Sequence, residues 1–302
     1  MRGKDAGIRE DYPRTLMEFE RAFSNEKACQ EYVRKLRWPQ GFKCPGCGGK
    51  EAWETKRGTF FCRHCKRQTS MTAGTVFDRS KQPLELWFRA VWLITTEKTG
   101  ISALGLQRQL GIRRYETTWM MLRKLRRAMV RPGRELLKGR VEVDETFLGA
   151  PAPGKRGRGA EKKVLVIIAA EVDGRKTGRI RMKRIPDAGG PALKSFILHH
   201  VEKGSTIITD GYRGYSGMET QGYLHERIPG ESVAVEELLP RVHRVASLLK
   251  RWLLGTHQGG IQAHKDLDPY LEEFSFRFNR RTSRERGKLF YRLIEQAVRT
   301  AP

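Results

Sequence analysis

Apolar and polar positions along the chain change period several times, and each change predicts a different kind of element. Over 15–37, Leu16, Phe19 and Phe23, then Ala28, Tyr32 and Leu36, recur at helical spacing and predict one or two short helices. The helical period returns over 82–130. LELWFRAVWLITTEKTG predicts one amphipathic helix with its aromatics inside, and ISALGLQRQLGIRRYETTWMMLRKLRRAM predicts two helices joined around Gly111. Near Gly139 the period drops to two. Val141 and Val143 alternate with Glu142 and Asp144, which predicts a strand with one apolar and one acidic face. VLVIIAAEV reads as a buried second strand, Asp173 and Gly174 as a hairpin turn, and RIRMKRI as a third strand. GGPALKSFILHHVEKG returns to a helix, and STIITD gives a fourth strand ending in Asp210.

Three antiparallel strands, a helix and a parallel strand make the ribonuclease H-like order, in which the first and fourth strands are neighbours. Asp144 and Asp210, 66 residues apart, are therefore expected to approach each other. The fold class expected is α+β and multidomain, with N-terminal helices and a zinc ribbon over 1–80, a helix-turn-helix region over 81–135, and a ribonuclease H-like domain with a mixed sheet and C-terminal helices over 136–302.

Composition narrows the partners. Lysine and arginine number 59 against 34 acids, giving a formal net charge of +25, and the excess is spread along all 302 residues without forming one tail. That distribution suits an extended polyanion, most simply nucleic acid. The longest apolar run, 164–170, is far below the roughly 18 residues of a membrane span, so no membrane helix is expected. The opening MRGKDAGIRE has no apolar core and does not read as a secretory signal. Against this basic background VEVDETFLGA (141–150) places three acids in five residues. They are either an edge-strand charge cluster that discourages aggregation or carboxylates that hold a divalent metal against a polyanion.

Four of the five cysteines form two CxxC knuckles, Cys44 with Cys47 and Cys62 with Cys65, separated by 14 residues. Four thiolates make a closed tetrahedral site, so the expected ion is structural zinc. His64 lies inside the second knuckle and is read as a solvent or DNA contact. Trp53, Phe60 and Phe61 are assigned to the ribbon's core, and Cys29 to a buried helix face.

A short helix, a glycine turn and an arginine-studded second helix follow the helix-turn-helix plan for entering a major groove; a helical linker with a solvated basic face is the alternative. Arg113, Arg114, Thr117 and Thr118 lie near the start of the second helix, where base contacts would arise, and Arg123, Lys124, Arg126 and Arg127 suit phosphates. Arg251, Arg280 and Arg281 are further candidate phosphate contacts. His199 and His200 are read as charge partners of a helix C-terminus, and Tyr212 and Tyr215 as loop packing.

CPGCG with FCRHC, VEVDETFLGA, IITDGYRGY, SLLKRWLLGTH and YLEEFSFRFNRR, in this order, resemble bacterial insertion-sequence transposases of the Asp-Asp-Glu type, in the group with an N-terminal zinc ribbon. The resemblance runs over about 15–297. It implies that Asp144 is the first catalytic carboxylate, Asp210 the second, and that a third metal-site residue lies on a downstream helix. In many relatives the residue seven before the lysine of SLLKR is glutamate; here it is His243, 33 residues after Asp210 and two helical turns before Lys250 on the same face. Lys250 would then hold a DNA phosphate near the metals. A helix-face histidine touching solvent or phosphate is the other reading of His243, and Glu236, Glu237, Glu272 and Glu273 are the competing third acids.

The chemistry implied is two-metal phosphodiester cleavage, with ions about 4 Å apart and hard ligands that select magnesium or manganese. Asp144 is expected to bridge both ions, Asp210 to bind one, and neutral His243 to complete the set or to donate a proton to the leaving 3′ oxygen. The expected partners are double-stranded DNA, both the element's terminal inverted repeats and the target, and further copies of the chain in a homodimer or larger synaptic assembly. The expected location is the bacterial cytoplasm, at the nucleoid. The alternative from another class is a DNA-binding regulator that keeps the fold and has lost catalysis, with His243 as the lesion.

Overall fold

The helical period of 15–37 breaks at Ser24 and gives two helices, α1 (Leu16–Ala22) and α2 (Glu26–Arg37), each opened by a side-chain cap. Thr15 Oγ1 accepts from the Glu18 amide at 3.1 Å and Asn25 Oδ1 from the Ala28 amide at 3.0 Å, satisfying amides that have no partner within the helix. The architecture is that of a computed structural model, which describes residues 11–56, 58–131, 133–149, 164–228, 238–257 and 267–302. The chain divides into two compact units, Met1–Arg131 with Ser283–Pro302, and Pro132–Thr282.

In the first unit, β1 (Ala52–Glu54), β2 (Thr59–Cys62) and β3 (Gln68–Ser70) form a small antiparallel sheet. Strand alternation splits its aromatics between two faces. Phe60 is buried against Trp38 and Phe42, whereas Trp53 is 44% exposed and stacks on Phe61 at 4.5 Å on the opposite face. The ribbon's core is therefore Phe60 alone of the three assigned to it, because Trp53 and Phe61 are register partners and so share a side. Cys29 is fully buried, and burial pushes its thiol up to about 12, as befits a small core hydrophobe.

Next come α3 (Leu84–Thr96), α4 (Ala103–Leu110) and α5 (Tyr115–Ala128). Ser102 caps α4 through the Gly105 amide at 3.0 Å, and Gly111 ends it in the left-handed region at φ +64°. That conformation favours glycine, and it turns the chain into α5 after four residues.

The second unit is built on a five-stranded sheet of β4 (Arg140–Leu148), β5 (Val164–Asp173), β6 (Lys176–Ile185), β7 (Thr206–Thr209) and β8 (Leu224–Arg227). Its order is β6-β5-β4-β7-β8, antiparallel among the first three strands and parallel from β4 to β7 and β7 to β8. This is the ribonuclease H-like order, and β8 is the strand that the hydrophobic pattern did not predict. Helix α6 (Gly190–His200) covers one face through Leu193, Phe196 and Ile197 against Val141, Val143, Ile167 and Ile207. Helices α7 (Pro240–His257) and α8 (Leu267–Phe278) belong to the other core, with Val242, Val245, Leu249, Leu271 and Phe274 against Val166, Ile168 and Ile180. Strand β4 is thus central and covered on both faces, which corrects the reading of its acids as an edge-strand charge cluster: Glu142 is only 2% exposed.

The last helix, α9 (Gly287–Ala297), folds with the first unit. Phe290 stands 5.4 Å from Phe19, 5.5 Å from Phe23, 5.7 Å from Phe88 and 5.8 Å from Trp92, centroid to centroid, so the chain's end fills the core that α1 and α3 begin. Among the described residues no helix is long and apolar enough to cross a membrane.

Candidate functional site

Strands β4 and β7 run parallel in a register offset of 66 residues, with Arg140 opposite Thr206 and Glu142 opposite Ile208. Two residues further along each strand direction the same offset gives Asp144 and Asp210, at the carboxyl end of β7. Side chains two apart on a strand share a face, so Asp144 lies on the face of Glu142, while Asp210 directly follows the last residue of the neighbouring parallel strand. Each aspartate is oriented by a local amide. The Glu145 amide donates to Asp144 Oδ1 at 2.8 Å, and the Tyr212 amide to Asp210 Oδ1 at 2.9 Å. The turn after Asp210 runs through Gly211 at φ +81°, and the Gly211 amide donates to Thr209 Oγ1 at 3.3 Å. Thr209 Oγ1 also lies 3.0 Å from His225 Nε2 on β8.

His243 sits in the first turn of α7 with Nε2 3.5 Å from Asp144 Oδ2. Its side chain is 36% exposed and that of Asp144 19%, so both can be reached from solvent. Two atoms that share one hard divalent ion at about 2.1 Å each lie roughly 3 Å apart at a right angle, and the observed pair is near that spacing. Lys250 is exposed further along the same helix. The donor set of two carboxylates and one imidazole fits magnesium or manganese in type. Among the described residues only the four cysteines form a set of three or more ligand atoms mutually within 4.8 Å, so Asp144, Asp210 and His243 make an open group.

The neighbouring acids have other partners. Glu142 Oε2 accepts from the Arg241 and Val242 amides at 2.7 and 3.0 Å, and Oε1 from the Arg241 guanidinium at 2.9 Å. Glu145 Oε2 accepts the Tyr215 hydroxyl at 2.7 Å. Tyr215 is fully buried, and burial together with Glu145 holds its hydroxyl well above the ordinary range, so it stays a neutral donor. Tyr215 is thus more than loop packing and Glu142 has a role of its own, for which the one signal in the sequence is the acid at every second position of a strand. Of the competing third acids, Glu272 is held by Arg134 at 2.8 and 3.3 Å and Glu273 is fully buried on α8. Glu236 and Glu237, and the basic loop at 150–163, lie outside the described residues.

The zinc centre is closed. Cys44 Sγ lies 3.5 Å from Cys65 Sγ, and Cys47 Sγ 3.6 Å from Cys62 Sγ. Disulfides need about 2.05 Å, whereas sulfurs about 2.3 Å from one tetrahedral ion stand roughly 3.8 Å apart. Hydrogen bonds from the Cys47 and Gly46 amides draw the Cys44 thiol down to about 6, favouring the thiolate that a metal needs. His64 is exposed and is not part of this set.

Around the turn between α4 and α5, Arg113 and Arg114 are exposed before α5 and Thr117 is half-buried. Thr118 is corrected: it is fully buried, because its position on α5 faces the core with Leu122 and Leu125, and it presents nothing to a groove. Arg126 is likewise buried. Lys124 Nζ donates to the Asp78 carbonyl at 3.0 Å, and Arg123 lies over the Trp119 ring at 5.3 Å. In the second unit Arg251 is exposed on α7. Arg280 lies over Phe276 at 4.0 Å, and Arg281 lies over Phe278 at 4.0 Å while donating to the Thr177 carbonyl. At the end of α6, His199 Nδ1 is 2.6 Å from the Ser195 carbonyl. His200 departs from the expected charge partner: burial pushes it down to about 4, so it is neutral near pH 7 and stacks on Phe196 at 4.5 Å.

A zinc ribbon joined to a ribonuclease H-like sheet, with one aspartate in the middle of β4 and another just past the end of the adjacent parallel strand β7, fits the class of Asp-Asp-Glu-type transposases. Residues 24–68 match the transposase zinc-ribbon domain, and residues 136–279 match the ISXO2-like transposase domain, both of the IS1595 type. The chain belongs to that transposase family. It is 28% identical, over 89% of its own length and 95% of the relative's, to an uncharacterized protein in transposable element ISH50 of Halobacterium salinarum. A chain in the crystal structure of the Mos1 strand transfer complex covers 70% of this one, and is itself 75% covered, at 12% identity and a TM-score of 0.29, a superposition too loose to place any residue.

Proposed function

We propose that the protein binds the ends of a mobile DNA element, cleaves phosphodiester bonds there and joins the freed ends to target DNA, using divalent ions held by Asp144, Asp210 and His243. The observation that carries this reading is the parallel pairing of β4 with β7, whose 66-residue offset runs on to Asp144 and Asp210, with His243 3.5 Å from Asp144. Bound magnesium or manganese would supply a nucleophile at neutral pH and neutralise the leaving oxygen. The chain's own groups do the rest. Asp144 and Asp210, each oriented by an amide at Oδ1, present carboxylate oxygens to the ions. His243 offers a ring nitrogen either as the third ligand or as the proton donor to a 3′ oxygen. Lys250 holds a DNA phosphate, and Arg113 and Arg114 contact the element end.

Double-stranded DNA is the substrate in both steps, and the +25 charge supports its capture. Two ends must be processed together, so the working form is a homodimer or a larger assembly acting at the nucleoid. The test is cleavage and joining of labelled DNA carrying the element's ends, with magnesium or manganese, by wild type, Asp210→Asn and His243→Ala. Wild type is expected to act, and both variants to bind DNA and fail to cut. Tight binding by wild type without cutting in either metal makes the protein a regulator; full activity of His243→Ala moves the third ligand elsewhere.

A further inference from the structure

We propose that Glu142 and Glu145 are positioning residues: one clasps the helix that carries His243, the other clasps the loop that carries Asp210, and both do so from the strand that carries Asp144. This rests on the metal-site reading given under Proposed function. The three acids of VEVDE then have three separate tasks, one candidate ligand and two clasps.

The first clasp is made at the start of α7. Pro240 has no amide hydrogen, so Arg241 and Val242 supply the first amides of the helix, and these have no carbonyl partner inside it. Both point at Glu142 Oε2, while the Arg241 guanidinium closes on Oε1. With its side chain 3% exposed, Glu142 has both oxygens engaged and is a helix anchor. His243 follows Val242 directly, about 1.5 Å further along the axis, so its ring is placed by a helix end tied to β4 two residues from Asp144.

The second clasp lies on the other face of β4. Alternation turns Glu145 away from Asp144 toward the α6 layer, where Tyr215 is packed among Val143, Leu193 and Ile207. The Tyr215 hydroxyl closes the six-residue segment from Asp210 to Tyr215 onto Glu145, whose own amide orients Asp144. One residue thus touches both aspartates' supports: its amide holds Asp144 and its carboxylate holds the Asp210 loop. Each of the three candidate ligands is therefore referenced to the four consecutive residues Glu142 to Glu145 of β4. Without such ties, two like-charged carboxylates and an imidazole on separate elements would drift apart when no ion draws them together.

The experiment uses the zinc-loaded full chain as wild type, Glu142→Gln, Tyr215→Phe and Asp144→Asn. Three quantities are followed: free manganese by electron spin resonance, thermal unfolding, and DNA-end cleavage as a function of metal concentration. Tyr215→Phe and Glu142→Gln are each expected to raise the manganese midpoint about tenfold, the scale for groups that orient metal ligands. Cleavage should return to within about threefold of wild type when metal is raised, a rescue that a lesion of general stability does not give. If the midpoints stay at the wild-type value while Asp144→Asn abolishes manganese binding, the clasps are overturned and the site stands. If Asp144→Asn binds manganese and cuts like wild type, the site reading fails and takes the clasps with it. Should Glu142→Gln unfold, Tyr215→Phe still decides, because it removes one buried oxygen and keeps the ring.

Discussion

His243 Nε2 stands 3.5 Å from Asp144 Oδ2, although 99 residues separate the two in the chain. As a metal ligand, a neutral imidazole would bring one negative charge fewer than a carboxylate, so the hard, strongly hydrated magnesium ion would lose more than manganese, which accepts nitrogen readily. His243→Glu is expected to lower the half-saturating magnesium concentration for cleavage relative to manganese. Equal activation by both ions in wild type at limiting concentration counts against a metal-bound His243.

The ribbon's two knuckles are joined by strands of only three and four residues, too little surface to hold themselves without an ion. Elemental analysis should find one zinc per chain. A chelator, or Cys62→Ser, is expected to open the ribbon to protease while the sheet of the second unit stays protected. Retention of protease resistance without metal would sink the structural-zinc assignment.

Arg113 and Arg114 are exposed just before α5, whereas Thr118 is buried with its hydroxyl unpartnered. Arg113→Ala and Arg114→Ala should each weaken binding to DNA ends and reduce the salt slope by about one. Thr118→Val should leave binding alone and hold or raise stability, since it replaces a buried polar atom that has no partner. Lys124→Ala is expected to act on the melting temperature through its lost bond to the Asp78 carbonyl.

His200 is held neutral by burial, down to about 4 in the folded chain against about 6.5 when exposed. A depressed histidine favours the folded state above the unfolded value and loses that preference as pH falls from about 6.5 toward 4. The loss is up to roughly 3 kcal/mol. Urea midpoints at pH 7 and pH 4.5 should therefore differ more for wild type than for His200→Phe, which keeps a ring against Phe196. Parallel pH dependences would remove His200 as a source.

A Cβ on Gly287 would lie 1.6 Å from the Pro13 carbonyl oxygen, closer than any contact can be, so one of the two backbones must move. Gly287→Ala is expected to cost about 1–3 kcal/mol, read as a lowered melting temperature. An unchanged melting temperature would mean that the N-terminal segment does not rest on α9.

Sequence alone determined what periodicity and fixed spacing encode: the paired knuckles, the helices α1 to α6, the strands β4 to β7, the glycine that ends α4, and the aspartate that closes β7. These are local facts, because a pleat, a helical turn or a CxxC loop is decided within a few residues. Tertiary structure decided which partner covers each face. The alternation at β4 marked Glu142 as unlike Val141, and only the arrival of α7, about 100 residues later, made that acid a buried anchor. Phe60 and Phe61 are neighbours of like hydrophobicity, yet the other side of the ribbon sheet is covered for one and largely open for the other. Nor does the pattern of α9 say which core its Phe290 joins; that was settled by the aromatic rings of α1 and α3 at the far end of the chain. Burial is set by what arrives from a distance, and a sequence period records only which positions are alike.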